Sequence, residues 1–272
     1  SFSSKNASRP ACLREKAEDV SGGCHHAFMR YGSTTHAPPT VDIRPEVNIL
    51  GMLKNLNYKP WYALAEFVDN SVGSFERALG GDSLDQGQAS VKVRIHPKPA
   101  ENQIEIVDDA AGIALADFAR AFRAAEVPPD RSGLSEFGMG MKSAATWFGD
   151  RWSVRTTVRG ESVLRTIEFD IDRIMADKVE QLEVVESAAD VDDHYTVVTL
   201  MDIHHFPVRR TVGKIKDHLR SIYRSYLRSG KLRLYYDGEE LKVNEVAPLV
   251  APPVWSPEHG QRTWKREIEI DF

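Results

Sequence analysis

The chain has 272 residues, 42% of them hydrophobic and 28% charged, and a net charge of −5. These values describe a folded globular protein and exclude a disordered, collagen-like or uniformly basic nucleic-acid-coating chain, and no run approaches the ~18 consecutive apolar residues of a membrane-spanning helix. Two cysteines, Cys12 and Cys24, are too few for a disulfide scaffold, so a reducing, cytoplasmic setting is expected.

Residues 1–28 hold no sustained period and little apolar sequence. They are expected to be loop, disorder or sequence carried over from expression, with Met29 a natural start. Cys12, Cys24, His25 and His26 match no zinc-ligand spacing. The first strong helix is predicted over 57–79. Pro60 suits its first turn, and Trp61, Leu64, Ala65, Val68 and Val72 recur at helical spacing. Residues 90–97 and 102–109 alternate as short strands. A helix over 115–125, a Pro/Gly/Ser-rich loop over 127–138 and a short helix over 140–149 follow. Residues 151–159 and 162–171 pair as a hairpin around Arg159-Gly160-Glu161. The acidic stretch 168–193 is expected to be exposed. A strand over 194–203 comes next, then a helix over 211–229 capped by Gly230, and a hairpin over 231–243 turning at Asp237-Gly238. The alternation of strands and helices predicts an α/β or α+β fold, a mixed sheet covered by helices. A change of character near 203–211 suggests an extension over 1–40, a main domain over 41–205 and a smaller module over 206–272. The last residues, Arg266 to Phe272, alternate like a strand, and the natural chain is expected to continue beyond them.

Three segments carry chemistry. In Glu66-Phe67-Val68-Asp69-Asn70-Ser71, Glu66 and Asn70 lie one helical turn apart on one face. The amide oxygen suits a hard cation such as Mg²⁺, and the carboxylate can polarise water. In Ile104-Glu105-Ile106-Val107-Asp108-Asp109-Ala110-Ala111-Gly112-Ile113, an apolar strand ends in two carboxylates and a small-residue turn. Read alone, this is equally a strand leaving the core. In Phe137-Gly138-Met139-Gly140-Met141-Lys142-Ser143, two glycines lead into a helix whose amino end suits phosphate. It is neither a Walker loop, since Met139 stands where Lys is needed, nor a dinucleotide fingerprint, since the third glycine is missing.

In this order and spacing, the three segments resemble the GHKL superfamily of ATPases: DNA gyrase B, MutL, the large heat-shock chaperones, histidine kinases and MORC proteins. The resemblance spans roughly residues 57–203. Glu66-x-x-Asp69-Asn70 is similar to the family's N-box, Asp108 to Gly112 to its Asp-x-Gly-x-Gly box, and Gly138-x-Gly140-x-Lys142 to its second glycine box. Thr196 falls at the family's late Gly-Thr. ALAEFVDNS and FGMGMKSAA look most like MORC-type ATPases and their prokaryotic relatives. The resemblance implies a Bergerat-type sandwich, with a mixed sheet covered on one face by helices and followed by the start of a transducer-like module. It also implies Mg²⁺-dependent ATP binding and hydrolysis driving a conformational or dimerisation cycle. Glu66 would be the general base and Asn70 the Mg²⁺ ligand. Asp108 would accept the adenine amino hydrogen, and Gly112 and Ile113 would shape the adenine pocket. Gly138, Gly140 and Lys142 would meet the phosphates, Thr196 would support the adenine network, and 114–137 would be the lid. Two positions depart from the pattern: Ala110 stands for a usual Gly, and Gly73 for a usual Asp.

Two alternatives stay open: a histidine-kinase-like phosphotransfer domain, and a module that holds ATP without turnover. His194, His204 and His205 read as surface or strand-end residues. Residues 205–236 hold nine Lys/Arg against one acid, Asp217, and Lys216, Arg220, Arg224 and Arg228 recur every four residues. This stripe is expected to form a DNA-binding or acidic-partner surface, completed when two copies pair, with Ile215, Leu219, Ile222, Tyr223 and Tyr226 available for burial on the other side.

Overall fold

The computed structural model describes residues 49–123 and 139–243. In chain order they form α1 (Ile49–Leu53), α2 (Pro60–Ala78), β1 (Val91–Lys98), β2 (Gln103–Asp108), α3 (Phe118–Phe122), α4 (Gly140–Phe148), β3 (Gly149–Thr157), β4 (Val163–Asp170), α5 (Ile171–Ala176), β5 (Val184–Ala188), β6 (Tyr195–Ile203), α6 (Arg210–Ile222), α7 (Arg224–Ser229), β7 (Leu232–Tyr236) and β8 (Glu239–Glu240). The cysteines, His25, His26, the 127–138 loop and Arg266–Phe272 lie outside the described residues, as does the greater part of the expected lid.

The strands make one eight-stranded sheet in the order β5-β4-β3-β6-β2-β1-β7-β8. Every pairing is antiparallel except β1 with β7. The sheet is therefore mixed, with helices packed on it, as expected. Alternation decides which face they cover. Val91, Val93 and Ile95 of β1 are buried, while Lys92, Arg94 and His96 between them are less so. On β2 the buried set is Ile104, Ile106 and Asp108. Period two thus carries a carboxylate onto the core side at the strand's end.

Pro60 opens α2 without an amide to satisfy. The helix then buries Ala63, Leu64, Phe67, Val68, Val72 and Phe75 against β1, α4 and α6. This apolar stripe, rather than a capping side chain, fixes the helix, since Lys59 at its start makes no side-chain cap. Toward the other end of the sheet, Trp152 stacks on Phe169 at 3.7 Å. Among the described residues, no helix is long and apolar enough to cross a membrane.

Three regions differ from the sequence reading. The helix expected over 211–229 is two, α6 and α7, separated by Tyr223 at φ −95° and ψ 20°. Among the described residues beyond 206, β7 and β8 belong to the same sheet. Leu232, Leu234 and Tyr236 pair in register with Val91, Val93 and Ile95 and extend their buried face. As an edge, β1 would present unpaired backbone groups along its outer side; β7 pairs with them. The acidic stretch 168–193 holds α5, whose Ile171 and Ile174 are buried; the edge strand β5 and most residues on either side of it are exposed. The last hairpin turns as expected, with Asp237 and Gly238 both at positive φ.

Candidate functional site

A cavity of about 320 Å³ opens between α2, the end of β2, the turn that follows it, α3, the start of α4 and β6. Its volume falls at the lower end of the ~300–1,000 Å³ typical of small-molecule sites. The lining includes Asn70, Asp108, Gly112, Ile113, Gly140, Lys142 and Thr196. Seven sequence-predicted residues, from four separate segments, therefore share one cavity. Gly138 lies outside the described residues. Glu66 stands just behind the wall: a Cβ on Gly140 would overlap Glu66 Oε2.

The two carboxylates ending β2 go opposite ways. Asp109 Oδ1 accepts from Lys92 N of β1 at 2.6 Å, an outward, structural bond. Asp108 points inward and is 8% exposed. Ser71 Oγ donates to its Oδ2 at 2.7 Å, and Ala110 N donates to its Oδ1 at 3.0 Å. Burial raises the Asp108 carboxyl to about 6, against the lowering effect of Ser71 and of backbone donors at Ala110 and Thr196. A carboxylate held in such a pocket is a specific acceptor for an amino group.

Gly112 has φ +73°, and a Cβ there would overlap the carbonyl of Thr157. The left-handed backbone and the close approach both require glycine. Ile113 N donates to Thr156 Oγ1 at 2.9 Å, and Thr156 Oγ1 lies 3.2 Å from Thr196 Oγ1. The turn and the neighbouring strands are thus one network. Ala110, the first departure from the family pattern, fits within it: its side chain is buried and its carbonyl lies 2.9 Å from His194 Nδ1. At the second departure, the Arg77 guanidinium lies over Gly73, with Nη1 3.2 Å from where a Cβ would stand.

Glu66 is half-buried, and burial first, then the charge of Asp69, raise its carboxyl above the ordinary value, with the Tyr58 hydroxyl acting in the lowering direction. Asn70 is one turn further along α2 and faces the cavity. Lys142 is 2% exposed, and its ammonium donates to Ala121 O at 2.8 Å, joining α4 to α3 across the site.

Sequence reasoning gave Ser71, Thr156, His194 and Tyr223 no place at the site. Ser71 had a signal, being on the α2 face that meets β2. The others act through contacts 39 to 158 residues apart, which no local pattern reveals. His194 is a strand-end residue as expected, but it is buried. No group of three or more His, Cys, Asp or Glu among the described residues could hold a metal. In the basic stripe, Lys216 bonds Glu239 at 2.5 Å, and Arg220 bonds Glu239 at 2.9 Å and Asp217 at 3.1 Å. Arg224 and Arg228 are exposed.

A helix-backed mixed sheet, with a buried carboxylate at a strand end and a glycine-led helix across the cavity, defines an α/β sandwich with a small-molecule pocket at its strand ends. The model of the family described as histidine kinase-, DNA gyrase B- and HSP90-like ATPase matches residues 58–196, and the chain belongs to that family. No curated protein matches the chain.

Proposed function

We propose that this domain binds Mg-ATP and hydrolyses it, using Glu66 as the base. The observation that supports the reading is the placement of Glu66 against Gly140, at the amino end of α4, while Asn70 faces the same cavity. Asp108 accepts a hydrogen bond from the adenine amino group, with Ser71 and the Ala110 and Thr196 amides holding the carboxylate in place. Gly112 and Ile113 shape the base pocket. Gly138, Gly140 and Lys142 belong to the phosphate end, where the amides opening α4 favour anions.

The residues present fit Mg²⁺. One amide oxygen, from Asn70, leaves the remaining positions to phosphate oxygens and water, the coordination Mg²⁺ prefers. When bound, the ion offsets charge on the phosphates. Glu66 takes a proton from water as its oxygen attacks the γ-phosphorus. The bond to the β–γ bridging oxygen breaks, ADP leaves with the electron pair, and Glu66 returns the proton to solvent. A base raised above the ordinary carboxylate value is better matched to neutral pH.

Nucleotide binding is proposed to drive pairing of two copies, MORC-like in type, and hydrolysis to complete the cycle. The exposed Arg224 and Arg228 then offer a weak DNA contact. The test of the core reading is release of inorganic phosphate from Mg-ATP by the wild type and by Glu66→Gln. Phosphate released by neither protein overturns the hydrolysis reading. Transfer of the γ-phosphoryl group to a protein histidine or aspartate favours the kinase-like alternative.

A further inference from the structure

Among the described residues, the hydrogen bonds to α2 of longest chain separation come from Tyr223. It lies at the break between α6 and α7, is 2% exposed, and reaches α2 with its hydroxyl. That oxygen is 2.6 Å from Asp69 Oδ1 and 2.8 Å from Ala65 O. Asp69 and Ala65 flank the turn of α2 that presents Glu66 and end one residue before Asn70. The phenol's ordinary value is pushed well up by burial and by Asp69, so it keeps its proton and acts as a donor. Among the described residues, Asp69 has no other hydrogen-bond donor.

The helices that carry Tyr223 are anchored on both sides. Tyr223 N donates to Leu219 O, and Leu227 N to Tyr223 O, so the backbone continues through the break. His218 stacks on Trp61 at 4.2 Å. After α7, β7 pairs with β1. A movement of α6 or α7 therefore reaches α2 at the turn that bears the proposed base.

We propose that Tyr223 is a positioning residue for the nucleotide site: its hydroxyl, bonded to Asp69 and Ala65, holds the α2 turn that aims Glu66 and Asn70 and links that turn to α6 and α7. The inference rests on the ATP reading above. Tyr223 touches no reacting atom and acts through α2. Misplacement of a reacting group by about 1 Å can cost ~10² in rate.

The test compares wild type, Tyr223→Phe and Asp69→Asn. Phe keeps the ring in the core, and Asn keeps an acceptor for the hydroxyl. Two quantities are read: kcat and KM for Mg-ATP, and the gain in affinity for a non-hydrolysable ATP analogue on adding Mg²⁺. Tyr223→Phe should lower kcat roughly tenfold to hundredfold with KM within about threefold, and should lose most of the Mg²⁺-dependent gain. Its Mg²⁺-free affinity should stay near wild type, because Asp108 is untouched. Asp69→Asn should keep the Mg²⁺-dependent gain within about fivefold of wild type, since the bond survives. A Tyr223→Phe protein equal to wild type overturns the proposal. So does one that loses Mg²⁺-free and Mg²⁺-dependent affinity equally, which marks a merely structural residue. If the wild type binds the analogue without hydrolysing ATP, the hydrolysis reading fails and the Mg²⁺ readout alone decides Tyr223. If the wild type binds no nucleotide, both fall.

Discussion

Gly140, the first residue of α4, packs directly against the Glu66 carboxylate, leaving no room for a Cβ. The contact joins two segments 74 residues apart in the chain. It also explains why glycine is needed at the start of this helix, where helix propensity alone favours alanine. Adding a methyl at 140 must move the Glu66 carboxylate, which is the free end of a flexible side chain, so relocation costs little stability. Gly140→Ala is expected to melt within a few degrees of wild type while hydrolysing ATP roughly ten- to a hundredfold more slowly. Phosphate release and thermal melting, measured side by side, check this. Normal turnover would show that Glu66 does not act from this position.

Asp108 sets binding against stability. Its carboxyl is raised from 3.8 to about 6 in the folded protein. Between those values the folded state holds a proton that the unfolded state has released, so stability falls as pH rises through the window. At neutral pH the buried charge costs on the order of 3 kcal/mol. Asn at 108 removes that charge. Its amide can donate to Ser71 Oγ, which already has Phe67 O as an acceptor at 3.0 Å. Asp108→Asn should therefore melt several degrees higher without ligand at pH 7, with the advantage shrinking as pH falls from about 6 to about 4 and gone below that, where both states are protonated. It should bind ATP at least tenfold more weakly, because a donor then faces the adenine amino group. In the wild type, ATP affinity should decline as pH drops through about 6. Differential scanning calorimetry with ATP titrations reads both effects, and wild-type affinity in the variant would remove Asp108 as the adenine acceptor.

How much of this was legible follows from where the contacts run. Glu66 and Asn70 share a helix face and Asp108 ends an alternating strand, so local spacing exposed them. The family resemblance then ordered the three segments. Spacing could not separate Asp108 from Asp109; that required β2 to be registered between β1 and β6, which turns one carboxylate inward and gives the other to Lys92 N. Thr156 and His194 enter the pocket network through strands that pair only in the folded sheet. Tyr223 looked like one more apolar position in a continuous helix. Its hydrogen-bond partner, Asp69, lies 154 residues away.

Glu66 and Asn70 should separate catalysis from metal binding. Glu66→Gln keeps the side chain's shape but cannot accept the proton, so ATP should bind normally and turn over about 10²–10⁴ times more slowly. Asn70→Ala should lose the Mg²⁺-dependent part of ATP affinity and keep adenosine binding. Because burial and Asp69 raise the Glu66 carboxyl, wild-type kcat should fall on acidification at a pH above the ordinary glutamate value. The base is active when ionised, so activity is lost as pH drops through its value and retained above it. An acid limb that persists in Glu66→Gln would assign that limb to another group.

The stripe Lys216, Arg220, Arg224 and Arg228 on α6 and α7 divides into two parts. Lys216 and Arg220 are committed to Glu239 of β8, with Asp217 also on Arg220, and surface pairs of this kind add little to stability but do neutralise charge locally. Arg224 and Arg228, one turn apart on α7, are exposed and offer their charge to solvent. If DNA binds here, these two arginines should make the greater part of the contact. Glu at both 224 and 228 is expected to abolish binding, whereas Glu at 216 should also break the bond to Glu239 and disturb the β8 hairpin. Each phosphate neutralised releases counterions, so two contacts give a log–log salt slope of about −2 for one copy and twice that for a pair. Binding to a short duplex at low and moderate salt, with and without a non-hydrolysable ATP analogue, measures the slope. A steeper slope with the analogue supports pairing on nucleotide. Identical curves for wild type and the Arg224→Glu/Arg228→Glu protein would remove this surface from any role in DNA contact.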